Sequence, residues 1–157
     1  MRHDGGMSTN TRFVEASPRD VFDVLSDGWL FPSWVVGASR IRDVELDWPG
    51  VGARIHHSFG LWPAVVDDST SILEWDPPRR VVLLARGWPF GEARVTLEVR
   101  DHRGGCLVRM TEDAVSGPGA LVPRPVMDLP MRLRNHEALR RLAWLAEGRQ
   151  RTVRPPT

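Results

Sequence analysis

Within the segments between Ile41 and Ala114 apolar residues recur mainly at every second position, and from about Arg124 to Glu147 they recur at every third or fourth. This change of period from 2 to 3.6 restricts the chain more than any other feature, because strands and helices expose opposite alternations of side chains. The clearest strand is Glu92 to Arg100, where Ala93, Val95, Leu97 and Val99 face one way and Arg94, Thr96, Glu98 and Arg100 the other. The same reading predicts strands over Thr11–Ala16, Ile41–Asp47, Gly52–Phe59, Ala64–Trp75, Arg79–Arg86 and Cys106–Ala114. The turns between them carry Trp48-Pro49-Gly50, Asp76-Pro77-Pro78 and Arg103-Gly104-Gly105. Short turns between consecutive strands imply an antiparallel meander.

Ser17-Pro18-Arg19-Asp20 begins a helix. Ser17 can cap it, proline suits the first helical position, and Asp20 completes a box-like pattern. Val21, Phe22, Val24 and Leu25 supply its apolar side. Trp29 to Val36 predicts a second short helix, interrupted by Pro32 and closed by Gly37. The long C-terminal helix takes Leu133, Leu139, Leu142, Ala143 and Leu145 as its apolar side, with Pro130 near its start. The expected fold is α+β: a curved antiparallel sheet of about seven strands wrapped on one long helix, with two short helices after the first strand. Such a sheet leaves a mostly apolar space between itself and the helix. One domain over 9–149 is expected, with 1–8 and 150–157 as flexible tails.

Composition removes several kinds of chemistry. All 21 basic residues other than histidine are arginine, and lysine and tyrosine are absent. A Schiff-base lysine is therefore excluded, and so is a phenolic acid. A single cysteine, Cys106, allows no internal disulfide and reads as a buried thiol. The net charge of +1 gives no field for nucleic acid, although Arg132 to Arg154 is rich in arginine against Glu137 and Glu147. No signal segment or membrane span is legible, so a cytoplasmic location is expected. Met1 and Met7 both remain open as the native start. Adjacent His56 and His57 point to opposite faces of a strand and cannot chelate one ion. Neither a metal nor a cofactor is expected.

Val14-Glu15-Ala16-Ser17-Pro18 followed by Val21-Phe22-Asp23-Val24-Leu25, the Trp34 region, Trp75-Asp76-Pro77-Pro78-Arg79-Arg80-Val81-Val82-Leu83, Gly91-Glu92-Ala93-Arg94-Val95 and Arg134-Asn135-His136-Glu137 resemble the START-like / Bet v 1-like (SRPBCC) superfamily, in its bacterial polyketide cyclase/dehydrase-like branch. The resemblance spans roughly Thr9 to Arg149. It implies a helix-grip fold with a hydrophobic ligand cavity and does not imply one reaction.

Phasing the strands by their apolar members places His57 with Ala53, Ile55 and Phe59, and Glu112 with Cys106, Val108 and Met110. A histidine and a glutamate in one apolar cavity could act as general acid and base. Each also has a structural reading: His57 as a satisfied core histidine, and Glu112 as the ion-pair partner of an arginine such as Arg86 or Arg109. Trp34, Ile55, Phe59, Arg86, Val95, Leu97, Val108 and Met110 are candidate lining residues. Trp62 and Trp88 sit in loops where they could stack on a flat ligand. On the long helix Met127, Met131, Asn135, Ala138 and Leu142 form a stripe that could line the cavity. Three functions stay open: a carrier of a lipid-like, polyketide or polycyclic molecule; a cyclase, aromatase or dehydratase; and a co-chaperone-like protein-interaction domain. A homodimer is possible through exposed edge strands.

Overall fold

Seven strands form one antiparallel sheet in the order β1-β7-β6-β5-β4-β3-β2. They are β1 (Ser8–Val14), β2 (Ala38–Val44), β3 (Arg54–Phe59), β4 (Val66–Asp76), β5 (Arg80–Gly87), β6 (Gly91–His102) and β7 (Gly105–Ser116). Among the described residues three α-helices accompany them: α1 (Pro18–Ser26), α2 (Phe31–Trp34) and α3 (Arg124–Val153), with a 3-10 turn at Gly28–Leu30. The structure is a computed structural model that describes residues 8–60, 63–87, 91–117, 121 and 123–153, with the backbone alone at 124, 125, 127 and 153.

From β2 to β7 every strand pairs with the next in sequence, which short turns permit. The first strand then returns beside the last, with Ser8 opposite Glu112 and Val14 opposite Cys106. The two short helices between β1 and β2 carry the chain across to the opposite edge. The start of α1 is held by a full capping box: the Ser17 hydroxyl accepts from the Asp20 backbone N–H at 3.2 Å, and the Ser17 N–H donates to Asp20 Oδ2 at 3.0 Å. A box of this kind contributes about 1 kcal/mol. The buried face of α1 is Val21, Phe22, Val24 and Leu25, as the spacing predicts.

The core lies between the inner face of the sheet and the helices. Val14, Val21, Val24, Ile55, Ile72, Val81, Leu97, Val108 and Leu142 are among its fully buried members. Helix α3 packs on α1, α2, β1 and β7. Its inward stripe is Asn135, Ala138, Leu139, Leu142, Ala143 and Ala146, a run at i, i+3, i+4, i+7, i+8 and i+11. The three alanines let the helix approach closely.

Some expectations need correction. Leu133 is 62% exposed and does not belong to the apolar side, because two residues before Asn135 lies about 200° around the helix axis. Val126, Leu129 and Leu133 share that outer face. The first strand starts at Ser8 and α3 continues to Val153, so residue 8 and residues 150–153 are structured and are not tails. The predicted Trp29–Val36 helix is a 3-10 turn followed by one turn of α-helix, with Trp29 exposed.

Candidate functional site

Cross-strand partners lie on the same face of a sheet, so the register shows what the inner face is made of. One row runs Ala114, Ala93, Ala85, Thr70, Ile55 and Val44, crossing all six strands from β7 to β2. Ile55 and Thr70 are fully buried, which identifies this as the inner face. Yet Ala85 and Ala93 are only half-buried and Ala114 is exposed. The inner face thus carries small side chains over β5 to β7, and solvent reaches it there, most of all at Ala114. The next row holds larger groups: Ser8, Glu112, Val95, Leu83 and Ile72.

His57 sits on β3, two residues beyond Ile55 of the alanine row and on the same face. Its Nε2 is 2.8 Å from the Thr70 hydroxyl, its ring stacks on Phe31 of α2 with centroids 5.4 Å apart, and Phe59 meets it edge-on at 4.8 Å. The residue is fully buried. Burial disfavours the imidazolium and lowers the pKa to about 4, against an opposing pull from Asp68. His57 is thus neutral at pH 7. Its Nδ1 is buried and has no hydrogen-bond partner among the described residues.

Glu112 is buried on β7, and its carboxylate accepts from the Arg134 guanidinium of α3 through both oxygens. The arginines considered from sequence are engaged elsewhere: Arg109 with Glu98 at 2.8 Å and Arg86 with Glu92 at 2.9 Å. Beside this ion pair, Ser8 Oγ and Asn135 Nδ2 are buried without partners among the described residues. Asn10 binds the same stretch of helix, its Nδ2 donating to the Arg132 carbonyl at 3.2 Å.

The fold brings His57 and Glu112 to one face but does not bring them together. Three strands separate β3 from β7, a path of about 19 Å along the sheet at roughly 4.8 Å per strand. Among the described residues their side chains bond to different partners, His57 to Thr70 and Glu112 to Arg134. Around them Trp34, Ile55, Leu97, Val108, Met110, Ala138 and Leu142 are buried, and Phe59, Val95 and Met131 are half-buried. Arg86 does not join this set: it shares the outer face with Leu84, opposite in phase to Leu83 and Ala85. There it borders a shallow groove of about 260 Å³ with Gly52, Arg54, Ser71 and Leu84, remote from His57 and Glu112. Trp62, Trp88 and the side chain of Met127 lie outside the described residues.

Sequence reasoning missed Thr70, Ser8 and the role of Arg134. Thr70 lies on the alternating face of β4 and was open to the phase argument that found His57. Ser8 lay in a stretch with no apolar alternation, and Arg134 finds Glu112 only through the fold. His56 faces away from His57, as strand geometry requires, and lies 3.2 Å from Glu45. Among the described residues no three His, Cys, Asp or Glu side chains are grouped to hold a metal ion, and no helix is long and apolar enough to cross a membrane.

Solved structures of similar shape include the di-domain ARO/CYC StfQ from the steffimycin biosynthetic pathway, at TM-score 0.73 and 13% identity over 92% of this chain and 51% of that one. A Rhodobacter sphaeroides protein matches at TM-score 0.69 and 22% identity, over 90% of this chain and 93% of its own. Protein NE0264 from Nitrosomonas europaea matches at TM-score 0.68 and 14% identity, over 91% and 95%. At these identities the likeness concerns the fold alone. No functionally curated protein is significantly similar in sequence. The sequence profile of the family described as polyketide cyclase / dehydrase and lipid transport matches residues 8–147, which takes in the whole sheet and most of α3, and the chain belongs to that family.

Proposed function

We propose that the inner face of the sheet binds a hydrophobic small molecule, lipid-like, polyketide or polycyclic, and that the protein carries or sequesters it. The observation behind this reading is the row Ala114, Ala93, Ala85 and Thr70, where alanines stand beside larger inner-face residues such as Leu83, Val95 and Ile72. Small groups there leave room beneath α3, with apolar walls and few polar atoms, the composition usual for ligand pockets. The family's description, which joins polyketide chemistry to lipid transport, agrees with that ligand class.

A cyclase, aromatase or dehydratase is the second reading, favoured by His57 Nδ1, which has no partner among the described residues. Two features weigh against it. A pKa of about 4 makes His57 a weak base at pH 7, and Glu112 is engaged by Arg134.

Titration with a flat apolar fluorophore tests the first reading. The wild type is expected to enhance and saturate the fluorescence. Ala93→Leu, which fills the row, is expected to weaken binding at least about tenfold, as steric exclusion from a packed site requires. Equal binding by both proteins would show that the probe lies elsewhere.

A further inference from the structure

The inner face is apolar in the middle and polar at two separated ends. At one end stands His57 on β3, fully buried, with Nδ1 unpartnered among the described residues. At the other stand Ser8 on β1 and Asn135 on α3, both buried, with Ser8 Oγ and Asn135 Nδ2 unpartnered among the described residues. Arg134 ties α3 to Glu112, the cross-strand partner of Ser8, so the inward-facing Asn135 belongs to this end. Between the ends lie Val95, Leu83, Ala85 and Ala93. Buried polar groups are ordinarily hydrogen-bonded, and unpartnered ones at two ends of one apolar surface ask for an explanation.

We propose that the ligand is uncharged and elongated, with an apolar middle and a hydroxyl group at each end, one bonded at His57 Nδ1 and the other at Asn135 and Ser8. This rests on the ligand-binding reading above and narrows it. Charge argues for neutrality. His57 is uncharged at pH 7, and the Glu112 carboxylate is already matched by Arg134. A charged ligand group at either end would stand without a counter-ion, which is costly when buried.

Hydrogen-bond chemistry argues for hydroxyls. If His57 Nε2 donates to Thr70, Nδ1 is an acceptor. If Nε2 accepts from Thr70, Nδ1 is a donor. A hydroxyl satisfies either tautomer. Asn135 offers a donor or an acceptor according to its amide orientation, and Ser8 offers both, so a hydroxyl fits there too.

Competition against the bound fluorophore with straight-chain α,ω-diols of increasing length, each paired with the monoalcohol of equal length, tests this on the wild-type protein. One length of diol is expected to bind about tenfold more tightly than its monoalcohol, the worth of one hydrogen bond to an otherwise unsatisfied buried group. In His57→Phe, which keeps the ring packing on Phe31, and in Asn135→Leu, diol and monoalcohol are expected to bind alike. If fluorophore and alcohols bind but no diol exceeds its monoalcohol at any length, the two-ended ligand is wrong and the apolar site stands. A diol advantage that survives both substitutions would also overturn it. If neither fluorophore nor any alcohol binds, the ligand-binding reading itself fails.

Discussion

Replacing Arg134 by methionine should cost this protein about 3 kcal/mol of stability, far more than an ion pair on its surface. The Glu112 side chain is 6% exposed and the Arg134 side chain 42%, and the guanidinium meets both carboxylate oxygens. No other side chain among the described residues bonds that carboxylate. Methionine keeps the packing of the arginine stem and removes only the charged fork. The carboxylate is then buried without a counter-ion, a state worth about 3–5 kcal/mol in fully buried pairs. The half-exposed arginine places this pair at the low end. For a chain of this length the loss corresponds to a fall in Tm of about 6–12 °C. Arg109→Met is the control. Its partner Glu98 is 29% exposed and is also met by Arg80, so the loss should stay near 0.5 kcal/mol. The double variant Glu112→Leu/Arg134→Met should return to within about 1 kcal/mol of wild type, since both charges leave together. Urea unfolding of the four proteins at pH 7 measures all of this. If Arg134→Met costs no more than Arg109→Met, Glu112 is not sealed from water, and the polar end described above does not exist as a buried cluster.

Other consequences can be measured on the same footing. The folded protein holds His57 neutral down to about pH 4, whereas an unfolded histidine takes its proton near pH 6.5. The unfolded state therefore binds more protons across that window, so stability is full above about pH 6.5 and falls as pH drops toward 4, by up to about 3 kcal/mol. Denaturant unfolding of His57→Phe over the same range should show this slope removed. The Cys106 thiol, raised by burial to about 11, should resist a thiol reagent at pH 8 in the native state and react fully in denaturant; rapid native labelling would contradict its burial. Leu142→Ala should cost about 2–5 kcal/mol in urea unfolding, because Leu142 is fully buried between α3 and the sheet. Leu133→Glu should change stability by less than about 0.5 kcal/mol, since that side chain faces solvent.

Much of the fold was legible because each element obeys one period. The β6 alternation, the β3 phase that turns His57 inward and the β7 phase that turns Glu112 inward all follow from side chains at i and i+2. Where a segment lacks that contrast, local reading fails. Ser8-Thr9-Asn10-Thr11 has no apolar alternation, and it is a strand because β7 offers it a partner. Val81 to Ala85 is apolar at every position, so its phase is ambiguous, and only the register places Arg86 on the outer face with Leu84. Helix α3 carries leucines on more than one side, and only docking against β1 and α1 decides that Leu139 and Leu142 face in and Leu133 out. Alanine is the least informative apolar residue in a sequence. Ala85, Ala93 and Ala114 acquire meaning only when register places them side by side.

The separation of His57 from Glu112 bears directly on what kind of protein this is. Acid–base catalysis at one atom needs both groups within hydrogen-bond reach of that atom, or linked by a single water. Three intervening strands and the Arg134 fork on Glu112 weigh against this for the pair, so an enzyme built here would use them on different parts of its substrate. A carrier asks less: unpartnered polar atoms that fix orientation and apolar walls that supply affinity. The two cases part on one substitution. In a carrier, His57→Phe lowers affinity for a hydroxylated ligand and there is no turnover to lose. In an enzyme acting through Nδ1, the same change lowers kcat for a polyketide substrate while KM barely moves. The buried, neutral and stacked imidazole described here is better suited to the first, because a group so reluctant to take a proton makes a poor base and a good hydrogen-bond partner.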